Sequence, residues 1–118
     1  MSACSRLLDI RKQIAYISIN IAERLGGVIR TFKNKPLGEL WLSGKTSKID
    51  VKMHERILLR LDRLNIVNAP EELNLPGFDF HPLRGKPLRY SVHVNGPWCL
   101  TFEFYGGDAW RVDYEQYH

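Results

Sequence analysis

With 118 residues, 44% of them hydrophobic and a quarter charged, the chain has room for one domain with one core and is too apolar for wholesale disorder. Seventeen Lys and Arg against 13 Asp and Glu leave a net +4, a mild excess that identifies no polyanion partner by itself. The two cysteines, Cys4 and Cys99, suggest neither a disulfide framework nor a zinc site, and the apolar stretch from Ile14 to Ala22, broken by Ser18 and Asn20, is too short to span a bilayer; a cytoplasmic protein is expected.

Gly26-Gly27 is the first clear break, and Val28-Ile29-Arg30-Thr31-Phe32 after it reads as a short strand. Leu37, Leu40 and Trp41 then recur at helical spacing, with Pro36 in the first turn and Gly44 as a stop. A longer amphipathic helix is expected from about Lys48 to Leu64. Ile57, Leu58, Leu61 and Leu64 form its apolar stripe, while Lys52, Glu55, Arg56, Arg60 and Arg63 fall mostly off it. From Val28 to Pro70 nine Lys and Arg stand against four acids, whereas from Trp98 onward Arg111 alone faces Glu103, Asp108, Asp113 and Glu115. Such polarity fits a phosphate-contacting side, and equally a solvated, salt-bridged helix. Asn68 to Leu73 reads as a capped single turn and Leu75-Pro76-Gly77 as a loop.

The remainder alternates. Leu88, Tyr90, Val92 and Val94 share one face of a strand, with Arg89, Ser91, His93 and Asn95 on the other. After the Asn95-Gly96-Pro97 turn, Trp98, Leu100, Phe102 and Phe104 alternate with Cys99, Thr101, Glu103 and Tyr105. After Gly106-Gly107-Asp108, Trp110, Val112 and Tyr114 alternate with Arg111, Asp113 and Glu115. Keeping the last two apolar sets on one side calls for an odd-numbered loop, which would place Glu103 opposite Arg111 and Thr101 opposite Asp113. One sheet face would then be apolar and packed on the helices, the other polar and open. The three tryptophans all fall on apolar sets and are expected in the core. The order predicts an α+β domain: an N-terminal strand, two helices, then three or four antiparallel strands in one sheet.

The residues from Gly77 to Lys86, with His81-Pro82-Leu83 followed by Arg84 and Gly85, resemble a segment of the HigB toxins of the RelE superfamily. Trp98, Thr101-Phe102, Gly107-Asp108-Ala109-Trp110 and the terminal Asp113-Tyr114-Glu115-Gln116-Tyr117-His118 match the rest of that family's pattern in order, over about three quarters of the chain. The resemblance implies a compact RelE-like fold spanning residues 28–118. It also implies metal-independent, cofactor-free cleavage of mRNA in the ribosomal A site, with growth arrest. The partner it implies is a HigA-like helix-turn-helix antitoxin, through which alone operator DNA would be bound. No membrane partner is expected.

Cutting RNA without a metal uses the 2′-OH beside the scissile phosphate as nucleophile. That requires a base for the 2′-OH, an acid for the departing 5′-oxygen, and cations for the charge developing on phosphorus. Histidine suits the first two roles. The resemblance assigns catalysis to His81 and His118, the former favoured as base and the latter as acid, with the reverse open. It adds Arg84 on the phosphate and Tyr117 stacking on a base or positioning His118. Lys86 and Arg89 complete the expected RNA- and phosphate-binding set. His54 and His93 have no counterpart in the family's functional set and are read as structural or solvated, although His93 could line the site.

Two departures matter. Cys99 stands where better-known members carry an Arg that stabilises the transition state, and Gln116 stands where an Asp is often found. Losing an Arg removes a permanently charged, bidentate donor. Arg89, on the polar face, is the nearest substitute; Arg111 is expected to be occupied by Glu103. A slower nuclease, a toxin subunit acting mainly in a repressor complex, and a ParE-like gyrase inhibitor are the alternatives. Residues 1–27 have no counterpart in the family. They are either an amphipathic extension, with Leu7, Leu8, Ile14, Ile17, Ile21 and Leu25 as its stripe, or the product of a mis-assigned start. In the second case, which we adopt as the expectation, Val28 is the first residue, read from a GTG codon.

Overall fold

The computed structural model describes residues 29–116. The reading of residues 1–27, and Val28 itself, lie outside the described residues.

Helix α1 (Lys35–Ser43) starts where Asn34, in extended conformation, accepts a hydrogen bond from the Leu37 amide at 3.0 Å. Pro36 fits the first turn because no helical partner for its missing N–H is required there. The helix stops at Gly44, whose φ of 87° only glycine adopts freely and whose N–H reaches the Leu40 carbonyl at 2.8 Å. Helix α2 (Val51–Leu64) begins three residues later than the sequence pattern suggests. Asp50 is its cap, accepting from the Lys52 amide at 3.0 Å and leaving Lys48 outside the helix. Its stripe of Ile57, Leu58, Leu61 and Leu64 is buried as expected, and Arg60 is buried with it. A single 3₁₀ turn, Pro70–Leu73, follows and buries Leu73.

Four strands form one antiparallel sheet in the order β1-β2-β3-β4: β1 (His81–Leu83), β2 (Arg89–Asn95), β3 (Trp98–Tyr105) and β4 (Asp108–Gln116). Leu37, Leu40, Ile57, Leu61, Val92, Val94, Leu100, Phe102, Ala109 and Val112 fill the space between helices and sheet. The opening segment lies parallel to β4 as two isolated bridges, Ile29 to Ala109 and Phe32 to Val112, and the Ile29 amide donates to the Asn65 side chain at 3.0 Å.

The β3–β4 hairpin corrects two expectations. Its turn has two residues, Gly106 and Gly107, both at positive φ (62° and 80°), so Tyr105 pairs with Asp108 and Phe104 with Ala109. An even loop puts Ala109, not Trp110, on the core face. A bulge then admits Arg111 at φ 51°, and beyond it Val112 returns to the core and Thr101 pairs with Asp113. Glu103 consequently pairs with Trp110 rather than Arg111. Trp110, displaced from the core, stacks on exposed Tyr105 with centroids 5.0 Å apart and ring planes 2° from parallel.

The polar face is not open. Ser91 and Thr101 are fully buried and Glu103 nearly so, and the longer Arg89 and Glu115 side chains reach over Thr101. Arg89 bonds Thr101, Glu103 and the Arg111 carbonyl, and the Thr101 hydroxyl donates to the Glu115 carboxylate.

Candidate active site

Strand β1 lies at the sheet edge beside β2, with His81 opposite Ser91 and Leu83 opposite Arg89. Alternation therefore puts His81 on the polar face, together with Ser91, His93 and Cys99. A cleft of about 730 Å³ opens there, lined by Asp79, His81, Pro82, Leu83, Arg84, His93, Gly96 and Cys99.

His81 is exposed, and its Nδ1 lies 2.8 Å from the carbonyl oxygen of Asp79. A carbonyl only accepts, so Nδ1 carries the proton and Nε2 of the neutral ring keeps a lone pair. Asp79 sits at φ 45°, a left-handed backbone that Asp tolerates better than most residues. The loop before His81 is held from both sides. The Phe78 carbonyl accepts from the His93 amide at 2.6 Å, and the Phe80 ring stacks on Tyr90 at 5.6 Å. From α2, the Arg60 guanidinium lies 4.8 Å over the Phe78 ring and its Nε donates to the His93 carbonyl at 2.6 Å. Burial, and then neighbouring Arg56, lower the Arg60 pKa from its ordinary value.

Arg84 lies on the cleft rim, exposed and with no partner among the described residues. Lys86 is exposed and does not line the cleft. Arg89 sits one pair further along the polar face. Its donors are engaged by Glu103 at 3.0 Å, the Thr101 hydroxyl at 3.1 Å and the Arg111 carbonyl at 3.0 Å. A phosphate would have to compete with all three. Arg111 shares the same Glu103 oxygen at 3.2 Å. Thus the cleft brings together His81 and Arg84, and it leaves Lys86 and Arg89 outside its lining. His118 and Tyr117 lie outside the described residues. Strand β4 ends at Gln116 opposite Trp98, at the end of the sheet where Gly96 and Cys99 border the cleft.

The histidine of α2, His54, is buried with Nε2 2.9 Å from the Ile49 carbonyl, a structural role. His93 is half-buried and lines the cleft beside Cys99, its pairing partner on β3. Arg60 was not singled out by the sequence pattern; a charged position next to an apolar stripe is its only signal. Cys99 is 6% exposed and its thiol lies 3.9 Å from the Pro97 carbonyl. Chemically, the cleft offers an imidazole with one nitrogen ready to accept a proton, and in the same lining a guanidinium with no partner among the described residues. That pair suits deprotonation of a hydroxyl beside an anionic group.

The chain matches, over residues 30–118, a family described as the RelE-like toxin of type II toxin–antitoxin system HigB. It is also 37% identical over 92 residues to a protein named Endoribonuclease HigB from Proteus vulgaris, an alignment covering 77% of this chain and 100% of the relative.

Proposed function

The chain belongs to the HigB-like toxins of type II toxin–antitoxin systems, and we propose that it cuts mRNA on the ribosome and arrests growth when no antitoxin restrains it. It is an endoribonuclease in this reading, with residues 28–118 as the toxin unit. The observation that carries the chemistry is the His81 hydrogen bond to the Asp79 carbonyl, which presets the tautomer a general base needs, beside the unpartnered Arg84. His81 Nε2 takes the proton of the 2′-OH, and the freed oxygen bonds to the adjacent phosphorus. The bond to the 5′-oxygen breaks, and that oxygen leaves with a proton from His118. The products are a 2′,3′-cyclic phosphate and a 5′-hydroxyl. Arg84 binds the phosphate, Lys86 adds charge along the RNA path, and Tyr117 positions His118 or stacks on a base. Arg89 reaches phosphate only by releasing Glu103, so its contribution here is mainly to shape the polar face.

A toxin of this class has an antitoxin, and we take the partner to be a HigA-like helix-turn-helix protein through which operator DNA is bound. The setting is the cytoplasm; no helix among the described residues is long and apolar enough to cross a membrane. The test is inducible expression with growth monitoring and primer extension on a reporter mRNA, for wild type, His81→Gln and His118→Ala. Arrest with new 5′ ends that disappear in both variants is expected. Arrest without cleavage would redirect the search to gyrase or another target. Absence of arrest would favour a toxin subunit working mainly in a repressor complex.

A further inference from the structure

We propose that His93 is a second imidazole of the reacting centre, contacting the scissile phosphate as an imidazolium; the inference rests on the mRNA-cleaving reading of this cleft. His93 points from β2 onto the face shared by His81, and it lines the same cleft as His81 and Arg84. Its backbone is fixed from two directions, since its amide donates to the Phe78 carbonyl at 2.6 Å and its carbonyl accepts from Arg60 at 2.6 Å. Its ring is fixed too. Nε2 lies 3.0 Å from the Gly96 carbonyl and must donate to it, so Nδ1 is the nitrogen that gains or loses a proton. Protonating Nδ1 adds a charged donor without breaking the bond to Gly96.

The cleft needs that charge. Charge accumulates on the phosphate oxygens as the 2′-oxygen attacks, and fixed cations aimed at them lower the barrier. Among the described cleft residues Arg84 is the one permanent cation. Arg89 and Arg111 both point at Glu103, Lys86 is outside the lining, and His81 must be neutral to act as a base. Cys99, paired with His93 across the sheet, places a thiol 3.9 Å from the Pro97 carbonyl where a guanidinium would offer fixed charge. Side by side with Cys99 in the same cleft, His93 is placed to supply the second cation. Among the described residues, the charged and titratable groups around it are Asp79, His81 and Arg84 from β1 and its loops, Cys99 on β3, Glu115 next along that row on β4, and Arg60 and Arg56 behind it on α2.

The experiment measures cleavage of mRNA on programmed ribosomes between pH 6 and 8.5, for wild type, His93→Gln and His93→Arg, each checked for folding by thermal melting. Gln retains an N–H donor for Gly96 but has no charge. Its rate is expected to fall about 10- to 100-fold, the loss of one hydrogen bond to a charged group. Arg carries a permanent charge, so it is expected to restore the rate to within several-fold and to hold it at alkaline pH where the wild type declines. Wild-type rate and pH profile in His93→Gln would overturn the proposal and leave His93 as a support for the turn. So would Arg performing no better than Gln. No cleavage by the wild type would instead overturn the nuclease reading, and this inference with it. Should the variants misfold, imidazole ¹⁵N shifts of the wild-type protein titrated with inorganic phosphate give an independent answer. His93 Nδ1 should move towards its protonated value while buried His54 stays fixed, and a stationary His93 refutes the contact.

Discussion

Glu103→Gln removes one negative charge from between two arginines that touch the same oxygen, Arg89 at 3.0 Å and Arg111 at 3.2 Å. Distance does not separate the two pairs; burial does. The Arg89 side chain is 17% exposed and that of Glu103 10%, whereas Arg111 is 58% exposed. Breaking a buried pair by removing one partner costs about 3–5 kcal/mol, and an exposed pair is worth roughly 0–1 kcal/mol. Arg89 keeps the Thr101 hydroxyl and the Arg111 carbonyl as acceptors, and it is not wholly dry, so we place the loss at about 2 kcal/mol, below the buried-pair range. For a domain of this size that lowers Tm by roughly 8–16 °C. The assay is a pair of double-mutant cycles read by urea unfolding: Arg89→Met with Glu103→Gln, and Arg111→Met with Glu103→Gln. The first should give a coupling of about 1–2 kcal/mol and the second less than about 0.5 kcal/mol. Equal couplings, or a larger one for Arg111, would refute the argument that burial decides. The same variant bears on function. If Arg89 only shapes the face, cleavage per folded molecule stays constant in Glu103→Gln; a faster enzyme would show that Glu103 was holding back a phosphate ligand.

Asp50→Ala removes the acceptor for the Lys52 amide at the start of α2 and should cost about 1 kcal/mol, measured by urea unfolding. Cys99→Ser should leave cleavage rate and pH profile unchanged, because the thiol's contact is a weak one to Pro97 at 3.9 Å; a tenfold slower variant would make the thiol part of the chemistry. Burial, with Asp50 and Cys99 adding to it, raises the Tyr114 phenol above its ordinary value of 10.0. A folded pKa above the unfolded one means that this stability is complete below about pH 10 and is lost as pH rises towards the folded value, so Tyr114→Phe should flatten the alkaline decline in unfolding free energy between pH 9 and 11.

Helices were legible because their signals are local. Pro36, Gly44 and the leucine spacing lie within a few residues of what they control, and the Lys48 start erred only because Asp50 is the better cap. Alternation also assigned the sheet faces correctly along β2 and most of β3. It failed at β4 because parity along a strand is blind to an inserted residue. Gly106-Gly107 was the available signal: two glycines together favour a two-residue turn whose twist matches the strands, and that choice makes a compensating bulge necessary. Trp110 looked like core on parity alone, but the two-residue turn gave that place to Ala109, and the bulge at Arg111 brought Val112 back to the core.

Of the candidate site, the sequence pattern brought His81 and Arg84 forward and said nothing of what the other side chains bond to. His81 and Arg84 stand in a motif, so their meeting in one cleft is unsurprising. Arg89 and His93 look alike in sequence, two basic side chains on the same polar face of β2, and nothing local ranks them. The fold ranks them by what lies opposite. Arg89 faces Glu103, two residues beyond Thr101 on β3, and its charge is answered inside the protein. His93 faces Cys99, which answers nothing, and the turn at Gly96 takes only one of its two ring nitrogens. Arg60 reinforces the point, since its partners are the His93 carbonyl and the Phe78 ring, and a backbone oxygen leaves no trace in a residue pattern. Arg89, the expected substitute for an arginine at position 99, is thus engaged by Glu103, whereas His93 keeps one ring nitrogen without a partner among the described residues, and Arg60 holds His93 in place from behind.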